Sequence, residues 1–355
     1  MKRLMITLCL LVLLFCPVSC LAEPVESLTY AVFPYLPDPE YYQELIERRW
    51  AELEPDIPLI RADWNCYTDG KPDGIDVVMV DAVRRDALIA AGWIQPISRA
   101  KVQDAGDLFP FALEGFTVED DLYGIPVFLC GNFLIYDTAC QALAEAEHLT
   151  DLAGESELLV VNAENPLNRP QYIVETIADT LGKANPSLEE GDEDCLELLD
   201  RLSVSAHRKD EDPEVARAYD AGIGQGYIGF SESMHLLKSR TGSTSIKAVS
   251  FSEQENIFRV YADAAAVTAE VQGERYEKCV ELMNVMAEAD VLTALSVHGG
   301  DPQYLLLARK SPYPSLTERF PLYQLLEKLA DNEENHVILT PSPGMPEEET
   351  LAPAA

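Results

Sequence analysis

One stretch constrains this chain more than any other: Tyr123-Gly-Ile-Pro-Val-Phe-Leu-Cys130-Gly-Asn-Phe-Leu-Ile-Tyr136. It opens on a turn, with Tyr123-Gly124 ahead of Pro126, and then runs apolar on both sides of Cys130-Gly131. An apolar run of this kind reads as buried strand, and a glycine inside it marks a bend or a close backbone approach. A thiol at such a bend can face a cleft instead of a core. Cys130 is therefore a candidate nucleophile at the hinge of a two-lobed chain. The plainer alternative is a buried structural cysteine, the commoner fate of a lone thiol.

The length of 355 residues suffices for two α/β lobes, each with its own core. The net charge of −35, from 61 acidic against 26 basic residues, argues against nucleic acid or an anionic membrane as partner. It suits a soluble exported protein and a cationic small molecule. Lys2 and Arg3, an apolar run from Leu4 to Phe15, and small residues up to Ala22 read as an export signal over 1–22. A secreted, extracytoplasmic location is expected. Cleavage before Cys20 with lipid attachment is the alternative, and would give the only membrane contact. Five cysteines remain beyond Ala22: Cys66, Cys130, Cys140, Cys195 and Cys279. An odd number leaves at least one thiol unpaired or shared between molecules. With no Cys-x-x-Cys spacing and no paired histidines, no metal site is expected.

The chain order reads strand, helix, strand, helix. Leu28 to Phe33 alternates as a strand, Glu40 to Leu53 has helical spacing, Ile57 to Trp64 is a strand, Ile75 to Val80 is a buried strand ending in Asp81, and Ala82 to Ala91 is a helix. This alternation implies a parallel sheet whose ligands sit beyond the strand ends, where Tyr35, Tyr67 and Asp81 converge on one rim. Asp137 to Glu147, Gln171 to Leu181, Cys195 to Leu202, Glu214 to Ala221 and Glu274 to Ala287 read as helices. Leu158 to Val161 and Gly226 to Phe230 read as strands of a second lobe. Ile246 to Phe251 and Phe258 to Tyr261 read as strands returning to the first, with Asp263 at a strand's middle or end. The expected lobes are 23–136 with 240–336, and 137–239; a Pro- and Glu-rich tail from 337 to 355 reads as disordered. Gly222, Gly224 and Gly226 do not form a phosphate loop, since no lysine follows and a strand comes next.

Several groups stand where chemistry can occur. Glu232 follows a strand, between two serines, and suits a general base; its plain reading is an acid at a helix start. Asp81 and Asp263 can bind an amino group or a cationic ring, or simply cap turns. Tyr35, Tyr67 and Tyr261 can stack on a flat cation, or pack at a core edge. A cysteine-protease reading needs a histidine beside Cys130, and His235 is the one near Glu232.

Taken together, these stretches resemble bacterial thiaminase I (thiamine pyridinylase). The similar segments are Phe33-Pro-Tyr-Leu-Pro-Asp38, Asp63-Trp64 with Tyr67, Asp76-Val-Val-Met-Val-Asp81, Phe111-Ala-Leu-Glu-Gly115, Tyr123 to Cys130, Gly229-Phe-Ser-Glu-Ser-Met234 and Pro302 to Arg309. They keep one order along nearly the whole mature chain; 138–212 matches least. The resemblance implies an α/β, two-lobed type II periplasmic-binding-protein fold with its ligand in the interlobe cleft. It implies thiamine degradation by transfer of the pyrimidinylmethyl group to an external amine, pyridine or thiol. Cys130 falls on the family's nucleophile and Glu232 on its general base and acid. Asp81 and Asp263 fall on pyrimidine-binding aspartates, and Tyr67 and Tyr261 on pocket tyrosines. Phe33 and Phe230 stand where pocket tyrosines are expected, and each missing hydroxyl costs on the order of 1 kcal/mol in binding or orientation. A related pyrimidine is thus an alternative substrate. No cofactor and a monomeric state are expected. The competing reading is a solute-binding protein for thiamine or a related pyrimidine, without catalysis.

Overall fold

The computed structural model describes residues 25–164, 192–251, 259–332 and 335–339. The export segment and the expected helix Gln171 to Leu181 lie outside the described residues. Strand β1 (Leu28–Ala31) leads through a proline-rich loop to helix α1 (Pro39–Leu53). Asp38 caps α1, accepting from the Tyr41 N–H at 3.0 Å, and Pro39 takes the first helical position, where no N–H is needed. Tyr42, Leu45, Ile46 and Trp50 share its buried face, and the Trp50 indole donates to the Ile57 carbonyl at 2.7 Å. Strand β2 (Leu59–Arg61) is shorter than its apolar run suggested, because it forms the sheet edge and has a partner on one side alone. Strand β3 (Val77–Asp81) runs directly into helix α2 (Ala82–Ala90).

Strand β4 (Ile125–Cys130) and strand β5 (Asn132–Asp137) flank Gly131, where the bend was expected. They belong to different sheets. The first contact with the second sheet thus comes at Asn132, ahead of the expected boundary at Asp137. Asp137 is a strand residue; the helix expected from it covers Gln141–Glu145 alone. Strand β6 (Leu159–Val160), helix α3 (Asp192–Leu202), helix α4 (Asp212–Asp220) and strand β7 (Gly226–Phe230) follow.

Strand β8 (Thr244–Lys247) corrects a second expectation. It does not return to the first lobe but pairs antiparallel with β5, from Thr244 opposite Asp137 to Lys247 opposite Leu134. Strand β9 (Arg259–Val267) makes the return and is far longer than the expected Phe258 to Tyr261. Its Ala262–Ala266 segment carries little intrinsic strand preference. It lies between two other strands and under helix α5 (Gly273–Met286), where small side chains are what fits. Strand β10 (Leu306–Leu307) and strand β11 (His336–Val337) complete the sheet. The ordered chain therefore continues past residue 337, where the tail was expected to start: β11 pairs parallel with β9, and the Ile338 N–H donates to the Val260 carbonyl at 2.8 Å.

The large sheet has the order β10-β4-β9-β3-β1-β2 with β11 beside β9; the small one has the order β8-β5-β7-β6. β1, β2 and β3 are mutually parallel, and β9 runs antiparallel between β3 and β4. Among the described strands the chain passes between the sheets twice: at Gly131, and between β8 and β9. The β4–β9 contact is tight. A methyl group added to Gly124 would sit 2.8 Å from the Ala264 Cβ and 3.2 Å from the Ala265 carbonyl oxygen. Gly124→Val is expected to destabilise the protein by about 1–3 kcal/mol, seen as a lowered melting temperature; unchanged melting would show that the strands can part without cost.

Candidate active site

Cys130 is the last residue of β4 and is half-buried. In the large sheet it pairs with Tyr261 of β9. In the small sheet the last β5–β7 rung joins Asn132 to Phe230, and two residues farther along the two strands lie Cys130 and Glu232. Continuing that register places the two side chains together: the Cys130 thiol donates to Glu232 Oε1, with Sγ and oxygen 3.4 Å apart. Glu232 sits in a 3₁₀ turn, Ser231–Leu236, that follows β7 directly. Ser231, fully buried, donates to the other carboxylate oxygen, Oε2, at 3.4 Å. His235 is turned to the main chain of Glu232, its Nδ1 lying 2.6 Å from the Glu232 carbonyl oxygen.

Asp81 ends β3 and does two jobs. Its Oδ1 accepts from the Val83 N–H at 2.9 Å, capping α2, and its Oδ2 accepts from the Tyr67 hydroxyl. Asp263 stands opposite Asp81 in the β3–β9 register, in the middle of its strand. Both carboxyls are buried. Burial pushes Asp81 up to about 6, while bonds from Tyr67 and Val83 and the charge of Arg84 hold it from rising further. Asp263 is pushed well above the usual carboxylate range by burial, reinforced by Asp81 and Glu232. Two carboxylates this close do not both ionise freely. The direction of both shifts puts the proton of the pair on Asp263 in preference to Asp81. Asp263 Oδ1 is buried with no hydrogen-bond partner among the described residues, a polar atom left for something else to satisfy.

Aromatic rings close the site. Tyr67, Tyr261, Phe230 and Cys130 pack in one cluster with Val83 and Ile338. Phe33 meets Tyr35 and Tyr67 edge-on, with ring centroids 5.4 and 6.2 Å apart. Tyr35 is 63% exposed, a large aromatic held at the rim by an Asn65 side-chain donor at 2.9 Å. A chain of contacts thus links the nine residues singled out in the sequence: Tyr35, Phe33 and Tyr67 through their rings, Tyr67 to Asp81, Asp81 to Asp263, and Cys130 to Glu232, Tyr261 and Phe230. Three further residues were not singled out: Ser231 behind Glu232, and Val83 and Ile338 in the aromatic cluster; His235, weighed as a rival base, also lies behind Glu232. Ser231 had one faint signal, adjacency to Glu232; Ile338 had none, lying in the stretch that reads as tail. Two of the other thiols are poorly placed to react: Cys66 and Cys279 are buried, and burial pushes both well above the ordinary thiol range. A separate cavity of about 550 Å³ is lined by Asp104, Asp107, Asn284 and Arg309. There Asn284 and Arg309 already bond main-chain carbonyls, and Arg309 also faces Asp107.

No protein-family model matches the chain. A curated thiaminase-1 from Paenibacillus thiaminolyticus is 27% identical over 370 aligned positions, covering 95% of this chain and 90% of that protein. A solved thiaminase I from Bacillus thiaminolyticus superposes with a TM-score of 0.78 at 26% identity, over 88% of this chain and 94% of the other. Thiaminase I from Clostridium botulinum, solved in complex with thiamin, gives 0.76 at 25%, over the same shares. Sugar-binding proteins are also similar in structure, such as a maltodextrin-binding protein from L. casei at 13% identity and a TM-score of 0.64, and show the fold alone.

Fold and site together define a two-lobed α/β protein with the type II periplasmic-binding-protein fold, its candidate site lying where the two sheets meet. Within that fold the chain resembles thiaminase I, in sequence and in structure, over nearly its full length.

Proposed function

We propose that the protein is a thiamine-degrading transferase, acting outside the cytoplasm on thiamine and a nucleophilic co-substrate. The observation that carries this reading is the Cys130–Glu232 contact at 3.4 Å, beside a buried pair of unlike carboxyls. Glu232 takes the thiol proton, and the thiolate adds to a carbon of the electron-poor pyrimidine, whose ring accepts the electron pair. That pair then expels the thiazole, which leaves neutral with the electrons of its bond to the methylene carbon. An amine, pyridine or thiol attacks the same methylene carbon, an amine or thiol giving up its own proton to solvent, and departure of the Cys130 sulfur restores both ring and enzyme. Glu232 holds the thiol proton meanwhile and returns it to the leaving sulfur. Asp81 accepts from the ring's amino group, and protonated Asp263 donates to a ring nitrogen, easing the arrival of negative charge. Tyr67, Tyr261, Tyr35, Phe33 and Phe230 supply flat walls that suit a planar cation.

Intact-protein mass spectrometry tests this directly. Protein mixed with thiamine alone, and then with aniline or pyridine, is expected to show a pyrimidinylmethyl adduct on Cys130 or acceptor-dependent thiazole release. Thiamine binding with neither product would instead identify a binding protein that serves a transporter.

A further inference from the structure

His235 has no place in that reaction, and its position accounts for it. A 3₁₀ run of six residues, Ser231–Leu236, is longer than such turns usually persist without help. Side chains tie this one down at two main-chain carbonyls. Ser233 Oγ donates to the Phe230 carbonyl at 2.6 Å and is itself 2.9 Å from the Tyr227 hydroxyl. His235 Nδ1 reaches the carbonyl of Glu232 at 2.6 Å. A carbonyl oxygen only accepts, so Nδ1 carries the hydrogen and the imidazole is the donor. The residue with the carboxylate facing Cys130 is thus gripped through its own main chain, while Ser231 holds the far carboxylate oxygen.

We propose that His235 is a positioning residue, which fixes the Glu232 backbone so that Oε1 stays within reach of the Cys130 thiol. The inference rests on the proposed roles of Cys130 and Glu232. A donor at the Nδ1 position is all that the role requires. Asparagine can place its amide nitrogen near that point; glutamine places its own nearer to Nε2, and alanine has none. The three substitutions therefore separate this role from mere filling of space.

The test uses the full chain in two assays. With thiamine and aniline, His235→Ala and His235→Gln are expected to lose about tenfold in kcat with KM within about twofold, part of what a positioned base contributes. His235→Asn is expected to stay within about threefold of the parent. In the second assay, iodoacetamide modifies Cys130 without any substrate, and peptide mass spectrometry follows the rate. His235→Ala should move that rate in the same direction as Glu232→Gln, by at least about threefold, with His235→Asn near the parent. Melting curves screen for variants that fail to fold, and the Asn–Gln comparison decides among those that fold. Equal behaviour of all three His235 variants in both assays would overturn the proposal, as would parent-like rates in His235→Ala. If the parent protein releases no thiazole, the transferase reading fails, while the alkylation assay still decides the role of His235.

Discussion

Cys130→Ser is expected to abolish thiamine turnover, by about 10³-fold or more, while the affinity for thiamine changes by less than about threefold. The hydroxyl of serine is a far weaker nucleophile at neutral pH, and its smaller atom leaves the walls of the site in place. On the proposed reading, binding comes from elsewhere: the Asp81–Asp263 pair, and the rings of Tyr67, Tyr261 and Phe33. Calorimetry with thiamine alone and a turnover assay with aniline read the two quantities separately. Retention of full activity would remove Cys130 from the reaction. Loss of binding together with turnover would make it a structural residue of the pocket.

The second large effect is on stability and activity at once. Asp81 sits at about 6 in the folded protein against an ordinary 3.8. A raised value means that the folded state holds the proton more tightly than the unfolded chain does. The stabilising contribution is fully present below the unfolded value and is lost as pH rises through about 6. Above that, the fold carries a buried charge at a cost of about 3 kcal/mol. Asp81→Asn removes the charge, and asparagine is as good a helix cap. The variant is expected to melt several degrees higher than the parent at pH 8, with the gain vanishing by about pH 4. It should also lose about 30-fold or more in kcat/KM for thiamine, since an ionised acceptor is replaced by an amide. Melting curves at the two pH values and one kinetic titration check all three statements. A variant less stable than the parent at pH 8 would show that Asp81 is retained for packing rather than for binding.

Legibility in the sequence follows physical signal. The Cys130-Gly131 bend is readable because a glycine breaking an apolar strand marks a bend or a close backbone approach. Helix α1 is readable because cap, proline and buried face all agree. Strand β9 is longer than its sequence suggests because its alanines favour helix in isolation, and only the crowding between β3 and β4 makes them right. Strand β8 joins the other sheet, since pairing partners leave no trace in a local pattern. Asp81 and Asp263 stand out in the sequence as a pair of candidates. Their unequal protonation depends on burial and mutual distance, which spacing along a chain does not encode. His235 reads as a rival base from its nearness to Glu232, yet the direction of its side chain in the 3₁₀ turn sends it to a main-chain carbonyl instead.

The chain crosses between its two sheets beside its candidate site. Cys130 precedes the first passage, and Tyr261 and Asp263 follow the second closely. Glu232 stands just past the end of a strand, and Asp81 at the end of another. Acquiring chemistry on this scaffold therefore requires few residues and no redesign of either hydrophobic interior. On the proposed reading, the joints between the sheets carry the reaction while both interiors serve only to hold them in place.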